Sequence, residues 1–288
     1  MNIQNRIAKL RHLMKEKNID AYIIPSADNH QSEYVGDHFK SREFITGFTG
    51  SSGTAVITQD SIGLWTDGRY FIQAEKELLG SNITLYKIGT PGVPSIMEYL
   101  ENILPTHGIL GFDGRVISMA EGKKYEAAFS HKNIKLEPYY DLINAIWTNR
   151  PPMPNSPIFP LEEKYSGEST LSKLNRIREE MRLEGATIHL LITLDDIAWI
   201  LNMRGRDVSY TPVFLSYAVI TMDCMHLFID QLKIPNDIKT YFSKNNIVLH
   251  PYNDIYSFAD CLIRAYSALC LLPPEAHDQC MIANMISA

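Results

Sequence analysis

The sequence has no hydrophobic run long enough to span a membrane, no CxxC pair, no HExxH or HxH cluster, and no GK[ST] following a glycine loop. Each absence closes a class of function. A spanning helix needs about 20 apolar residues. Metal and dithiol centres need ligands or thiols at short, fixed spacing. A phosphate loop needs backbone N–H groups converging at a helix N-terminus, usually with a lysine. Positive charge is also in short supply. With 27 Lys and Arg against 33 Asp and Glu, the net charge is −6, which argues against a nucleic-acid surface. The first residues form neither an apolar signal core nor an acid-free transit peptide; Ile3, Ile7, Leu10 and Met14 instead recur at helical spacing. Cysteine is confined to Cys224, Cys261, Cys270 and Cys280, read as scattered free thiols of a reducing compartment. A cytoplasmic protein without membrane or nucleic-acid partners is expected.

What is present is enough apolar residue, 45% of 288, for two domains that each bury a core. Short apolar runs predict strands at 21–25, 54–58, a run ending at Trp65-Thr66, 83–88, 109–112 and 134–136. Helical spacing marks the N-terminus, 71–79, 95–104 and 118–129. This alternation lacks a strict βαβ rhythm and predicts an α/β domain with a mixed sheet flanked by helices. Five prolines then crowd into ten positions (Pro151, Pro152, Pro154, Pro157, Pro160). Fixed φ and extended predecessors make such a stretch a semi-rigid linker. The expected organisation is a first domain over 1–147, a linker over 148–170 and a second domain over 171–288.

The second half repeats the first. Leu10-Arg11, Met14 and Ile23-Ile24 align with Ile177-Arg178, Met181 and Leu190-Leu191. Ala55-Val56-Ile57-Thr58 recurs as Ala218-Val219-Ile220-Thr221, Leu64-Trp65-Thr66-Asp67 matches Leu227-Phe228-Ile229-Asp230, and Ile109-Leu110 meets Leu271-Leu272. Ordered matches whose offset drifts only from 167 to 162 residues indicate a duplicated domain. By the first copy's measure, the second lacks its last strand and is expected to be cut short.

Chemistry is sparse. Gly47, Gly50 and Gly53 lead into a strand, so a tight turn with close backbone approach accounts for them better than a phosphate cradle. Gly50-Ser51-Ser52-Gly53 lacks the spacing of a nucleophile elbow. His189, opposite Tyr22 of the first copy, reads as a core histidine, and Asp195-Asp196 as a helix N-cap. No catalytic or metal-ligating set emerges. Two basic sites remain. Arg69 follows an Asp-Gly turn at a strand end and could form a local salt bridge. The duplication adds an asymmetry: Asp67 has a counterpart in Asp230, whereas Arg69 aligns with Leu232 and the glycine loop with Val213 to Ser216. Features carried by one copy alone are less needed by the fold. In the second copy, Arg204-Gly205-Arg206-Asp207 could be a turn pinned by its own ion pair, or Arg204 and Asp207 could dock another domain.

His30-Gln31-Ser32-Glu33-Tyr34, Gly47-Phe48-x-Gly50-Ser51-x-Gly53-Thr54-Ala55, Trp65-Thr66-Asp67-Gly68-Arg69-Tyr70-Phe71 and Asn202-x-Arg204-Gly205-x-Asp207-Val208 resemble the three-domain Xaa-Pro aminopeptidases of the creatinase/prolidase superfamily. The resemblance runs from about Ala8 to Leu272; the segment Gly36-Asp37-His38-Phe39 departs from it. It implies two tandem creatinase-like α/β domains, the second incomplete, without the pita-bread catalytic domain that holds two manganese ions. The parent protein would remove the N-terminal residue from peptides with proline second, using a metal-bridged hydroxide. This chain would not catalyse that alone. Arg69 would contact the bound peptide, and the missing catalytic domain would be a partner, with a homo-oligomer as a further expectation. The alternative is a non-catalytic peptide- or protein-binding module of the same fold.

Overall fold

A computed structural model of the chain describes residues 2–269. Leu271-Leu272, Cys270 and Cys280 lie outside the described residues. Among the described residues two compact units form, one from residues 2–29 with Asp37–Pro152, the other from His30–Gly36 with residues 153–269.

The first unit runs α1 (Ile3–Glu16), β1 (Ala21–Pro25), α2 (Ser41–Thr46), β2 (Thr54–Thr58), β3 (Ile62–Thr66), α3 (Phe71–Glu77), β4 (Thr84–Lys87), α4 (Ile96–Ile103), β5 (Ile109–Phe112), α5 (Met119–Phe129), β6 (Lys135–Glu137) and α6 (Leu142–Ile146). Local chemistry sets the helix starts. Asn2 accepts from Asn5 N at 2.9 Å to cap α1, and Ser95 with Glu98 closes a capping box on α4. The strands join in the order β4-β3-β2-β1-β5-β6. Both faces of this sheet are covered, so its strands read as continuous apolar runs whose residues alternate between two cores. Tyr22 and Ile24 of β1 face one core with Ile7, Leu10 and Met14 of α1. Ala21 and Ile23 face the other, with Leu100 of α4 and Tyr125 and Phe129 of α5.

The second unit holds β7 (Phe159–Pro160), α7 (Glu163–Ser166), α8 (Thr170–Leu183), β8 (Ile188–Leu191), α9 (Leu194–Leu201), β9 (Met203–Arg204), β10 (Ser216–Thr221), β11 (Met225–Ile229), α10 (Asn236–Lys244), β12 (Ile247–His250) and α11 (Asp254–Leu269). Its main sheet has the order β12-β11-β10-β8. Strand for strand this repeats β4-β3-β2-β1, with the same parallel, antiparallel, antiparallel sequence of pairings. The repeat extends to side chains. Arg11 Nε donates to Thr58 O at 2.8 Å, and Arg178 Nε donates to Thr221 O at 2.9 Å. The identical tetrapeptides lie in β2 and β10, each closed by an equivalent arginine.

Two expectations are corrected. His189 is exposed, not a core residue. Its counterpart Tyr22 is covered because its hydroxyl donates to Tyr140 O at the entry to α6, and no such segment is described in the second unit. Thr193, rather than an aspartate, is the N-cap of α9; Asp195 and Asp196 lie in its first turn, where they favour the positive end of the helix dipole.

Candidate functional site

In the first unit β1, β3, β4, β5 and β6 point the same way, and β2 runs against them. Their carboxyl ends therefore share one edge with the start of β2. Open α/β sheets place ligands at this edge, where loops diverge from the strands. The glycine loop and the Asp67-Gly68-Arg69 turn both lie here.

The loop is held from two sides. Gly47 ends α2 with φ 75°, and a Cβ on Gly50 would lie 2.3 Å from the Phe48 ring, so each glycine answers a steric need. From inside, buried Arg42 donates to the carbonyls of Phe48 and Gly50 and, at 2.9 Å, to Ser26 Oγ. Burial lowers the Arg42 guanidinium to about 10, which leaves it cationic at neutral pH. From outside, the Glu77 carboxylate accepts from Thr49 N at 2.8 Å and Thr49 Oγ1 at 2.7 Å. Ser51 Oγ meets Tyr70 OH at 2.6 Å, and Thr66 Oγ1 donates to Ser52 O at 2.6 Å, which ties the loop to the neighbouring turn.

In that turn Asp67 Oδ1 accepts from Arg69 N at 3.0 Å and Nε at 2.9 Å, while Oδ2 accepts from Nη2 at 2.9 Å. The two-pronged guanidinium holds the Asp67 carboxyl well below the usual carboxylate range. Arg69 does form the local salt bridge, yet its side chain remains 69% exposed. The pair orients the guanidinium and presents it to solvent.

The same device occurs again on this edge. After β5, Asp113 accepts from Arg115 N, Nε and Nη2 at 3.1, 2.9 and 2.8 Å. Here Arg115 also reaches Asp141 at 3.2 Å, and Asp141 accepts from Arg150 Nη1 at 2.7 Å. The signal for this turn in the sequence is the repeated Asp-Gly-Arg tripeptide at the end of an apolar run. Arg115 closes a charge network within the unit; Arg69 projects from it.

In the second unit Asp207 forms its ion pair beyond the Arg204-to-Asp207 turn, not within it. Asp207 is buried and meets Lys233 Nζ at 2.6 Å, and its Oδ2 also accepts from Leu215 N at 2.7 Å. Burial pushes its carboxyl above the ordinary range, against the pull of Lys233. The ion pair is thus with a lysine 26 residues away, and the Asp207 side chain offers no docking surface. Arg204 Nη1 donates to the carbonyls of Ala198 and Met203. His30 also belongs to this unit: its Nδ1 faces Ile192 O at 3.0 Å, so it carries the proton, and Nε2 accepts from Tyr252 OH at 2.7 Å.

Among the described residues no group of three or more His, Cys, Asp or Glu side chains is placed to hold a metal ion, so these residues do not fit a dinuclear centre. Nor is any described helix long and apolar enough to cross a membrane. Two family models, both described as Creatinase/Prolidase N-terminal domain, match residues 6–146 and 149–286. The chain belongs to the creatinase/prolidase N-terminal domain family. Both of its α/β units are creatinase N-terminal-type domains. A probable Xaa-Pro aminopeptidase P of Neurospora crassa is 40% identical over 92% of this chain and 39% of its own length. Aminopeptidase P2 of Arabidopsis thaliana is 37% identical over 99% of this chain and 41% of its own. Among solved structures, the X-prolyl aminopeptidase of Caenorhabditis elegans, described as a cytosolic enzyme with a di-nuclear active site, superposes with a TM-score of 0.88. It is 31% identical over 93% of this chain and 45% of that one. The chain therefore spans less than half of each of these three relatives.

Proposed function

We propose that the two creatinase-type domains are the non-catalytic amino-terminal part of a cytoplasmic, manganese-dependent Xaa-Pro aminopeptidase. They shape substrate access and dock on a catalytic domain of the same protein. The observation that carries the substrate-facing role is the exposed, Asp67-oriented Arg69 beside a braced glycine loop, both lacking in the second copy. A guanidinium held at a fixed angle suits peptide carbonyls or a C-terminal carboxylate beyond the scissile bond. Docking would use the surface around Arg204, whose turn is shaped from within by the buried Asp207–Lys233 pair.

The test joins the two domains to their catalytic domain in the longer protein. Arg69→Ala is expected to lower kcat/KM for tripeptides and longer by roughly tenfold to a hundredfold, the worth of one charge-assisted hydrogen bond of about 1.5–3 kcal/mol. Hydrolysis of an Xaa-Pro dipeptide should change far less. Equal effects at every peptide length would remove Arg69 from substrate binding. Absence of any Xaa-Pro cleavage with Mn²⁺ would favour a peptide- or protein-binding module.

A further inference from the structure

One cluster of reactive side chains stands apart from the sheet edge just described. At the β10–β11 hairpin, Cys224 Sγ lies 3.3 Å from His226 Nε2, and His226 Nδ1 lies 2.9 Å from His250 Nε2. The three groups form a line, since His226 uses a different nitrogen toward each neighbour. The hairpin fixes the cysteine: Cys224 N donates to Thr221 Oγ1 at 3.2 Å, and Thr221 N to Cys224 O at 3.0 Å. His250 stacks on Phe228 at 4.7 Å, and Phe258 of α11 packs against both histidines. Cys224 is only partly buried.

The first copy builds the same place without this chemistry. Thr58 N donates to Ser61 O at 2.9 Å in the equivalent hairpin, so Ser61 stands where Cys224 does. Gly63 replaces His226. Tyr86, paired in register with Trp65, replaces His250, which pairs with Phe228. The fit explains the exchange. A Cβ on Gly63 would lie 2.6 Å from both Trp65 and Tyr86, whereas the smaller Phe228 and His250 leave room for a side chain. The fold therefore does not require Cys224, His226 and His250. It gains a nucleophile, a base and an orienting group in one copy.

We propose that Cys224, His226 and His250 form a thiol site that reacts with hydroperoxides, with His226 as general base and His250 as its positioning residue. The Sγ proton passes to His226 Nε2 as sulfur attacks the nearer peroxide oxygen. The S–O bond forms while the O–O bond breaks, and the departing oxygen takes the proton from His226 Nε2 and leaves as water or an alcohol. Sulfur is oxidised by two electrons to sulfenic acid, and the peroxide is reduced by two. His226 Nδ1–H donates to His250 Nε2 throughout, which holds the ring and steadies its charge in transit. Burial and the neighbouring His250 lower the pKa of His226, so the ring is neutral and able to accept a proton at neutral pH. Asp254 at the start of α11 works against the burial that lowers His250.

The test exposes the intact chain to hydrogen peroxide at neutral pH, traps sulfenic acid with a 1,3-diketone, and follows each cysteine peptide by mass spectrometry. Exposed Cys261 is the internal reference. Cys224 is expected to react about tenfold faster than Cys261, and His226→Gln to slow it by about tenfold or more, a low value for general-base catalysis. Cys261 should be unaffected. His250→Gln, whose longer side chain can carry an amide oxygen to the place of Nε2 and still accept from His226 Nδ1–H, should keep most of the rate, and His250→Leu should lose it. Cys224 reacting no faster than Cys261 in the unaltered chain would overturn the proposal without recourse to any variant. So would an unchanged Cys224 rate in a folded His226→Gln protein.

Discussion

The turn after β3 and the turn after β11 use one aspartate for one purpose. Asp67 Oδ1 accepts from Arg69 N at 3.0 Å, and Asp230 Oδ1 accepts from Leu232 N at 3.0 Å. Each satisfies a backbone donor as the chain leaves the strand. The third residue differs: Leu232 is 85% exposed and holds nothing, whereas Arg69 is gripped by the aspartate that made the turn. The aspartate belongs to the fold, and the arginine is an addition to it. The turn after β5 shows the contrary outcome, an Asp-Gly-Arg whose arginine bridges Asp113 and Asp141 and serves the unit's own structure.

This contrast can be broken by measuring stability where the two kinds of ion pair meet. The largest effect is expected at the buried pair. Lys233→Ala leaves Asp207 buried without its cation and should destabilise the second unit by about 3–5 kcal/mol in denaturant titrations. Arg69→Leu, which installs the residue of the second copy, should cost under about 1 kcal/mol, as exposed pairs do. If the two costs were alike, Arg69 would be a fold residue and the asymmetry would lose its meaning.

A finer test sets the two arginine turns against each other. Arg115→Leu breaks contacts to two carboxylates and should cost more than Arg69→Leu, by about 1 kcal/mol in the same titration. Equal values would make both arginines surplus to the fold. The smallest effect concerns pH. Arg69 holds Asp67 below its unfolded pKa, so the stability this contributes is present above about pH 4 and is lost as pH falls toward the lower folded value. Thermal melts of the unaltered chain and of Arg69→Leu should converge in acid; a gap that persists at low pH would mean that Arg69 acts through something other than Asp67.

Much of this was legible in the residues. The strands at 21–25, 54–58 and 109–112 appear where the apolar runs placed them, because both faces of the first sheet are buried and no polar alternation interrupts the signal. The tandem repeat was legible because the same core contacts must be made twice. His189 was misread because its environment depends on what covers the sheet, and the residue that covers Tyr22 lies more than a hundred positions further on. The Asp207–Lys233 pair was invisible for the same reason, since nothing local to the Arg204 segment points to a lysine after β11.

The sequence by itself determined the duplicated α/β architecture, the aspartate-made turns and the fact that Arg69 has no counterpart, because each rests on local periodicity or on comparing one half with the other. Only the tertiary structure decided which arginine is spent inside a network and which is presented outward. It also brought Cys224, His226 and His250 into line. These outcomes depend on strand register and on contacts between residues far apart in the chain, where side-chain geometry settles whether a charged or nucleophilic group is satisfied within the fold or available to a ligand.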